Sequence, residues 1–68
     1  MSYVIKRTTG KPGEEVVRYY VRLTAFGQMF QTIDLAHRYE TVEEAEAVIE
    51  EDDLEDLIGE IEIIEIDQ

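Results

Sequence analysis

Acidic residues are concentrated in the second part of this chain. Of its 17 Asp and Glu residues, 14 lie within residues 39–68, which contain no Lys or Arg, whereas residues 1–38 contain all six basic residues. The net charge is −11. Because ionised carboxylates are costly to bury without partners, every element formed in residues 39–68 must hold its acidic side chains in solvent. This part of the chain can therefore bury only narrow apolar faces.

The size and composition predict one small folded domain over residues 1–68. A chain of this length buries only about 60% of the surface that it exposes when unfolded. Apolar residues nevertheless make up 44% of the sequence, which distinguishes it from disordered acidic tails. The chain has no cysteine, so its stability must come from good packing or from oligomerisation. A homodimer is one such assembly.

The first 35 residues predict a three-stranded antiparallel meander. Residues 2–9 and 15–24 are rich in Val, Tyr and Thr and alternate in character, as strands do. Gly and Pro within residues 10–13 indicate a hairpin loop, and a turn at 25–27 leads to a third strand over 28–35. The second strand has a core face composed, on this reading, of Val17, Tyr19, Val21 and Leu23.

A helix is predicted to begin after Thr41. Thr41 and Glu44 have the spacing of a capping box, in which the Thr hydroxyl accepts from a free helix N–H and the Glu side chain reaches back to the Thr amide. Four apolar residues then recur at helical spacing and predict a stripe that packs on the sheet. These residues are Val42, Ala45, Val48 and Ile49.

A fourth strand is predicted over the last residues of the sequence, and its neighbour in the sheet is left open. Residues 52–59 favour a short helical turn or an ordered loop that ends at Gly59, and residues 60–66 read as a strand with isoleucines on both faces. Such a strand is either covered on both faces or contains a bulge near Ile63. The predicted fold class is therefore α+β, with the order β-β-β-α-β and the helix packed on one face of the sheet.

Residues for enzymatic chemistry are scarce. The chain has one His, at position 37, one Ser, at position 2, and no Cys, so a nucleophile, a base and an orienting group cannot be combined. An EF-hand register that places Gly59 at the sixth loop position puts Leu54 and Ile58 at positions that require oxygen ligands. We therefore predict a protein that is not an enzyme, with no cofactor and no metal site.

The charge favours a basic protein as the partner. Nucleic acids and anionic membranes repel an acidic surface, so direct binding to either is disfavoured. Ordered carboxylates can instead occupy a cationic groove built for DNA, which presents one negative charge per ~1.7 Å of axis. The predicted partner-binding residues come from the helix, the following turn and the last strand. They are Glu43, Glu46, Glu50, Glu51, Asp52, Asp53, Glu55, Asp56, Glu60 and Glu62.

Several segments resemble small proteins of phages and mobile elements. These segments are YVIKR, YYVRL, YETVEEAEAVI and IEIIEI. The size and acidity of the chain are similar to those of anti-CRISPR proteins and other DNA-mimic inhibitors. The resemblance implies a non-enzymatic inhibitor that blocks a nucleic-acid-binding host enzyme. With no apolar run long enough for a signal sequence or a membrane span, the expected location is the cytoplasm, that of the host cell if a phage encodes the protein.

A second hypothesis assigns the acidity to solubility alone. The protein would then be a dimeric structural or adaptor domain of phage origin. The predicted dimer face is the outer face of the sheet, with Val16, Tyr20 and Phe30.

Overall fold

The predicted α+β fold is confirmed by a computed structural model that describes residues 1–67. Gln68, the last residue of the predicted domain, lies outside the described residues. The elements follow in the predicted order. They are β1 (Ser2–Thr9), β2 (Val16–Thr24), β3 (Gly27–Gln31), a first 3-10 turn (Ile33–Leu35), α1 (Val42–Glu51), a second 3-10 turn (Leu54–Asp56) and β4 (Glu60–Ile66).

The four strands form an antiparallel sheet in the order β3-β2-β1-β4. β4 lies beside β1, and their register is continuous from Glu60 to Ile66. The alternative of a bulge near Ile63 is therefore wrong. Ile61 and Ile63 pack against the core under α1, on what we call the helix side of the sheet. Ile64 is half-buried on the opposite face, which we call the outer face.

The bulge occurs in β2 instead, where the register with β3 shifts between Tyr20 and Arg22. β2 pairs with β1 only up to this region. Beyond it, the segment that follows β3 pairs with β1 instead. Tyr39 pairs with Tyr3 through two backbone hydrogen bonds of 2.8 Å, and the His37 N–H donates to the Tyr20 carbonyl at 3.1 Å. This pairing satisfies backbone groups that the diverging strand leaves free. β3 is shorter than the predicted residues 28–35 because Ile33–Leu35 form a 3-10 turn.

The start of α1 agrees with the predicted cap except for one hydrogen bond. The Thr41 hydroxyl accepts from the Glu44 N–H at 3.1 Å. The Glu44 carboxylate accepts from the N–H of Glu40, at 3.2 Å, rather than from that of Thr41. Within residues 1–67, α1 is the longest helix, and its ten residues include five glutamates, so the described chain has no helix that could cross a bilayer.

The main core lies between α1 and the sheet. Its buried residues come from β1, β2, α1 and the connections that flank α1. They are Ile5, Tyr20, Tyr39, Ala45, Ile49 and Leu54. Because Lys6 pairs with Tyr19, the next pair along the strands places Tyr20 beside Ile5 on the helix side.

The predicted core face of β2 is wrong for this reason. Val17 and Tyr19 alternate with Tyr20 and therefore lie on the outer face. The bulge changes the alternation, so that Leu23 pairs with Gln28 and lies at the margin of the helix side. Its side chain is 53% exposed there. A slip of one residue exchanges the two faces of a strand, and both faces of β2 contain apolar side chains.

The predicted dimer face is wrong as well. Tyr20 is only 1% exposed, and the Phe30 ring packs on it with the ring centres 5.2 Å apart. Both side chains lie on the helix side, within or against the core. Val16 shares that side of the sheet, beyond the cover of α1, and is 44% exposed. The three residues therefore do not form an outer surface.

Candidate functional site

A groove of about 440 Å³ runs between α1, the second 3-10 turn and β4. We call it the acidic groove. Its floor is apolar and comes from α1 and β4, whereas its rim is acidic and comes from α1 and the 3-10 turn. The floor residues are Ile49, Ile61 and Ile63, and the rim residues are Glu46, Glu50 and Glu55. The groove therefore combines apolar contact area with negative charge.

The position of each side chain follows from the packing of its element. Ile49 faces the sheet from α1, and Glu46 and Glu50, four residues apart, lie on the neighbouring flank. Leu54 is fully buried and holds the second 3-10 turn against the core, which leaves Glu55 exposed. The groove is thus built on packed elements.

Glu43 extends this arrangement by one turn of α1. It lies three residues before Glu46 and is exposed on the same flank of the helix. We call Glu43, Glu46, Glu50 and Glu55 the acidic row. At a rise of ~1.5 Å per residue, the first three of these residues span about 10 Å along the helix axis. Four like charges are therefore presented along one edge of the molecule.

Two arginines of β1 and β2 contact groups other than the acidic row. Arg7 donates from Nε to the Ile58 carbonyl at 2.9 Å, and its guanidinium lies 5.0 Å from the centre of the Phe30 ring. Arg18 donates to the Val17 carbonyl at 3.4 Å. These two arginines therefore bind backbone oxygens and an aromatic ring rather than the carboxylates of the acidic row.

The ten predicted partner-binding residues do not form one surface. Four of them belong to the acidic row. Four others lie at the C-terminal end of α1 and in the residues that follow, namely Glu51, Asp52, Asp53 and Asp56. Glu60 and Glu62 lie on the outer face, opposite Thr8 and Lys6. The expectation of a single array is wrong because the register of β4 directs these two glutamates away from α1.

Asp52 has a structural role at the end of α1. Its carboxylate accepts a 2.5 Å hydrogen bond from the Tyr20 hydroxyl, and its carbonyl accepts from the Gln28 side chain at 2.8 Å. Burial, followed by the hydrogen bond and the charge of Asp52, raises the pKa of Tyr20. Burial and the same charge raise the pKa of Tyr39. These contacts attach the C-terminal end of α1 to β2 and β3, and so orient the acidic row.

His37 lies outside the acidic groove. It is exposed, and its ring packs against that of Tyr39 at a tilt of 58°, with the ring centres 4.6 Å apart. A shallow depression of about 210 Å³ adjoins it, lined by residues of β2 and α1. Within residues 1–67, no three His, Asp or Glu side chains are grouped as a bound metal ion would require.

Sequence reasoning missed the floor of the groove. Ile61 and Ile63 do share a face of the last strand, and that much is visible in the alternation of EIEIIEI. Their position beside Ile49 depends on the pairing of β4 with β1 and on the direction in which α1 crosses the sheet. The only available signal was an isoleucine pair next to a predicted amphipathic helix.

Comparisons with protein families, with curated proteins and with solved structures find no match for this chain.

Proposed function

We propose that this protein is a non-enzymatic inhibitor that binds a basic, nucleic-acid-binding surface of another protein by imitating DNA. The observation that carries the proposal is the acidic row, in which four exposed carboxylates project from packed elements beside an apolar groove. The same proposal includes the resemblance to phage and mobile-element inhibitors and action in the cytoplasm of a host cell.

The charge density of the acidic row supports this proposal. Glu43, Glu46 and Glu50 place three charges over about 10 Å of helix axis, and one DNA strand places roughly three phosphates over the same length. The remaining acidic residues add to a net charge of −11. At ~0.1 M salt their field extends about 10 Å from the surface, far enough to steer a basic partner toward the acidic row.

The attachment of the acidic row to packed elements also supports the proposed DNA imitation. A flexible acidic tail must lose conformational freedom when it binds, and this loss weakens its affinity. Here the acidic row is attached to the sheet at both ends of α1, through Tyr39 on one side and the Tyr20–Asp52 contact on the other. Its carboxylates are therefore held near their binding positions before the partner arrives.

A displacement assay tests the proposal. A panel of purified Lys- and Arg-rich DNA-binding proteins is loaded with a fluorescent duplex, and the acidic protein is titrated in at low and high salt. We expect displacement that weakens as salt rises. A variant with Gln at positions 43, 46, 50 and 55 should need about tenfold more protein, the change expected when several exposed ion pairs are lost.

A matched variant controls for net charge. Glu14 and Glu15 in the first hairpin loop, with Glu44 and Glu51 on the opposite flank of α1, are also exposed. Their replacement by Gln removes the same four charges and retains an acceptor at position 44 for the helix cap. This variant should displace duplex nearly as well as the wild type. Equal losses in both variants, or no displacement from any panel member, would contradict a role for the acidic row.

A homodimeric structural or adaptor domain is a second candidate, and the outer face favours it. Val17 is 38% exposed there, and Tyr19 and Ile64 are only half-buried. An apolar sheet face of this kind often marks an interaction site. Under this proposal the wild type sediments as a dimer and Val17→Glu as a monomer with an unchanged circular dichroism spectrum. A monomeric wild type at high concentration would reject it.

A further inference from the structure

β4 lies at the edge of the sheet, next to the acidic groove. Within residues 1–67, the strand order leaves one side of β4 without a neighbouring strand, and its pairing with β1 is continuous over Glu60–Ile66. Alternate residues of an edge strand direct their N–H and C=O groups away from the sheet. β4 therefore offers a regular row of backbone donors and acceptors.

The charges on β4 select against a second copy of this chain. Glu60, Glu62 and Glu65 are all exposed, and they are distributed along the whole strand. Antiparallel pairing of two β4 edges would bring the glutamates of each copy close to those of the other, and like charges across a strand pair are destabilising. The edge is therefore protected against self-association. A positively charged strand would instead be attracted to the glutamates that repel a second copy.

The two faces of β4 specify the pattern of such a strand. Over residues 60–63 its helix side presents Ile61 and Ile63, the floor of the acidic groove, whereas its outer face presents Glu60 and Glu62. Beyond Ile63 this pattern is reversed, because Glu65 lies on the helix side and Ile64 and Ile66 lie on the outer face. The pattern of an added strand is therefore specified by residues 60–63. An added strand directs alternate side chains to the same two faces. Apolar side chains on the helix side would contact the isoleucines, and basic side chains on the outer face would meet the glutamates.

We propose that β4 accepts an extended segment of the partner protein as a fifth strand, and that Lys or Arg alternates with Val or Ile in this segment. Charge complementarity selects this occupant, because the groove rim is acidic and the outer face of β4 presents Glu60 and Glu62. The rim carboxylates Glu46, Glu50 and Glu55, on the helix side, add long-range attraction for a positively charged segment. This inference rests on the proposed function and specifies the partner segment that the acidic groove binds.

Two peptides of identical composition test the inference on the full chain. The first, Lys-Val-Lys-Ile-Lys-Val-Lys, alternates basic and apolar residues. The second, Lys-Lys-Lys-Lys-Val-Ile-Val, separates them into blocks. We expect the alternating peptide to bind about tenfold more tightly and to slow hydrogen exchange at alternate amides of β4, as strand addition requires. Calorimetric titration and amide exchange followed by NMR measure the two effects.

Variants of the protein locate the binding. Ile61→Thr retains a β-branched side chain but removes part of the apolar floor. It should therefore weaken the binding of the alternating peptide and leave that of the block peptide unchanged. Val17→Thr makes a comparable change on the outer face of β2, away from β4, and should leave the affinity unchanged. Methylation of alternate backbone nitrogens of the peptide, on the side that faces β4, should abolish binding because it removes the hydrogen bonds to the edge.

Failure of this inference is distinguishable from failure of the proposed function. If the two peptides bind equally and β4 amides exchange as in the free protein, strand addition is wrong, because simple attraction depends only on charge. The displacement of duplex by the acidic row would still stand in that case. Binding of the alternating peptide that protects amides of β3 instead of β4 would also overturn the inference.

Discussion

Replacing Leu54 by Ala should destabilise the protein by about 2–5 kcal/mol, the usual cost of truncating a fully buried leucine. Leu54 is 0% exposed and belongs to the main core. A domain of this size has only about 3–5 kcal/mol of stability from its core, so a large fraction of the variant should be unfolded at room temperature. Urea unfolding followed by far-UV circular dichroism measures the loss.

Ile58 provides the matched control for Leu54. It lies four residues later, on the other side of the second 3-10 turn, and is 83% exposed. Ile58→Ala should change the free energy of unfolding by no more than about 0.5 kcal/mol, as is usual for surface positions. If both variants unfold at the same urea concentration, the second 3-10 turn is not docked on the core. The position of Glu55 on the rim of the acidic groove would then be wrong.

Replacing Tyr20 by Phe should destabilise the protein by about 1.5–3 kcal/mol, the range for hydrogen bonds to charged groups. The ring of Tyr20 stays in the core, but Asp52 loses the donor that binds its carboxylate. Tyr19→Phe is the control, because Tyr19 is the adjacent residue and lies on the outer face. Urea unfolding of the two variants at neutral pH should show a clear loss for Tyr20→Phe alone.

The dependence of the free energy of unfolding on alkaline pH tests the same contact independently. Because the pKa of Tyr20 is raised above its ordinary value of 10 in the folded protein, the folded state holds this proton more tightly than the unfolded state. The resulting stability is complete below pH 10 and falls as the pH rises further. Tyr39 contributes in the same direction. Tyr20→Phe should therefore lose stability less steeply above pH 10, and an unchanged slope would contradict the Tyr20–Asp52 contact.

Local signals in the sequence determine the elements and their order. The alternation in β1 and β2, the capping box at Thr41 and the turn at Gly59 each depend on residues close together in the chain. Gly59 indeed has a positive φ of 107°, a conformation that favours glycine. The exposure of the acidic side chains could also be predicted, because burying unpaired carboxylates is costly. This exposure is expected whichever strand β4 pairs with.

Tertiary structure decided which side chains meet. Both faces of β2 are partly apolar, so its alternation could not show that Tyr20, rather than Tyr19, lies under α1. The pairing of Lys6 with Tyr19 places Tyr20 on the helix side. The pairing of β4 with β1 places Glu60 and Glu62 on the outer face, apart from the acidic row. The sequence alone therefore determined on which elements the carboxylates lie and that, apart from half-buried Asp52, they are exposed. Which of them share a surface depends on strand register, because a shift of one residue reverses both faces of a strand.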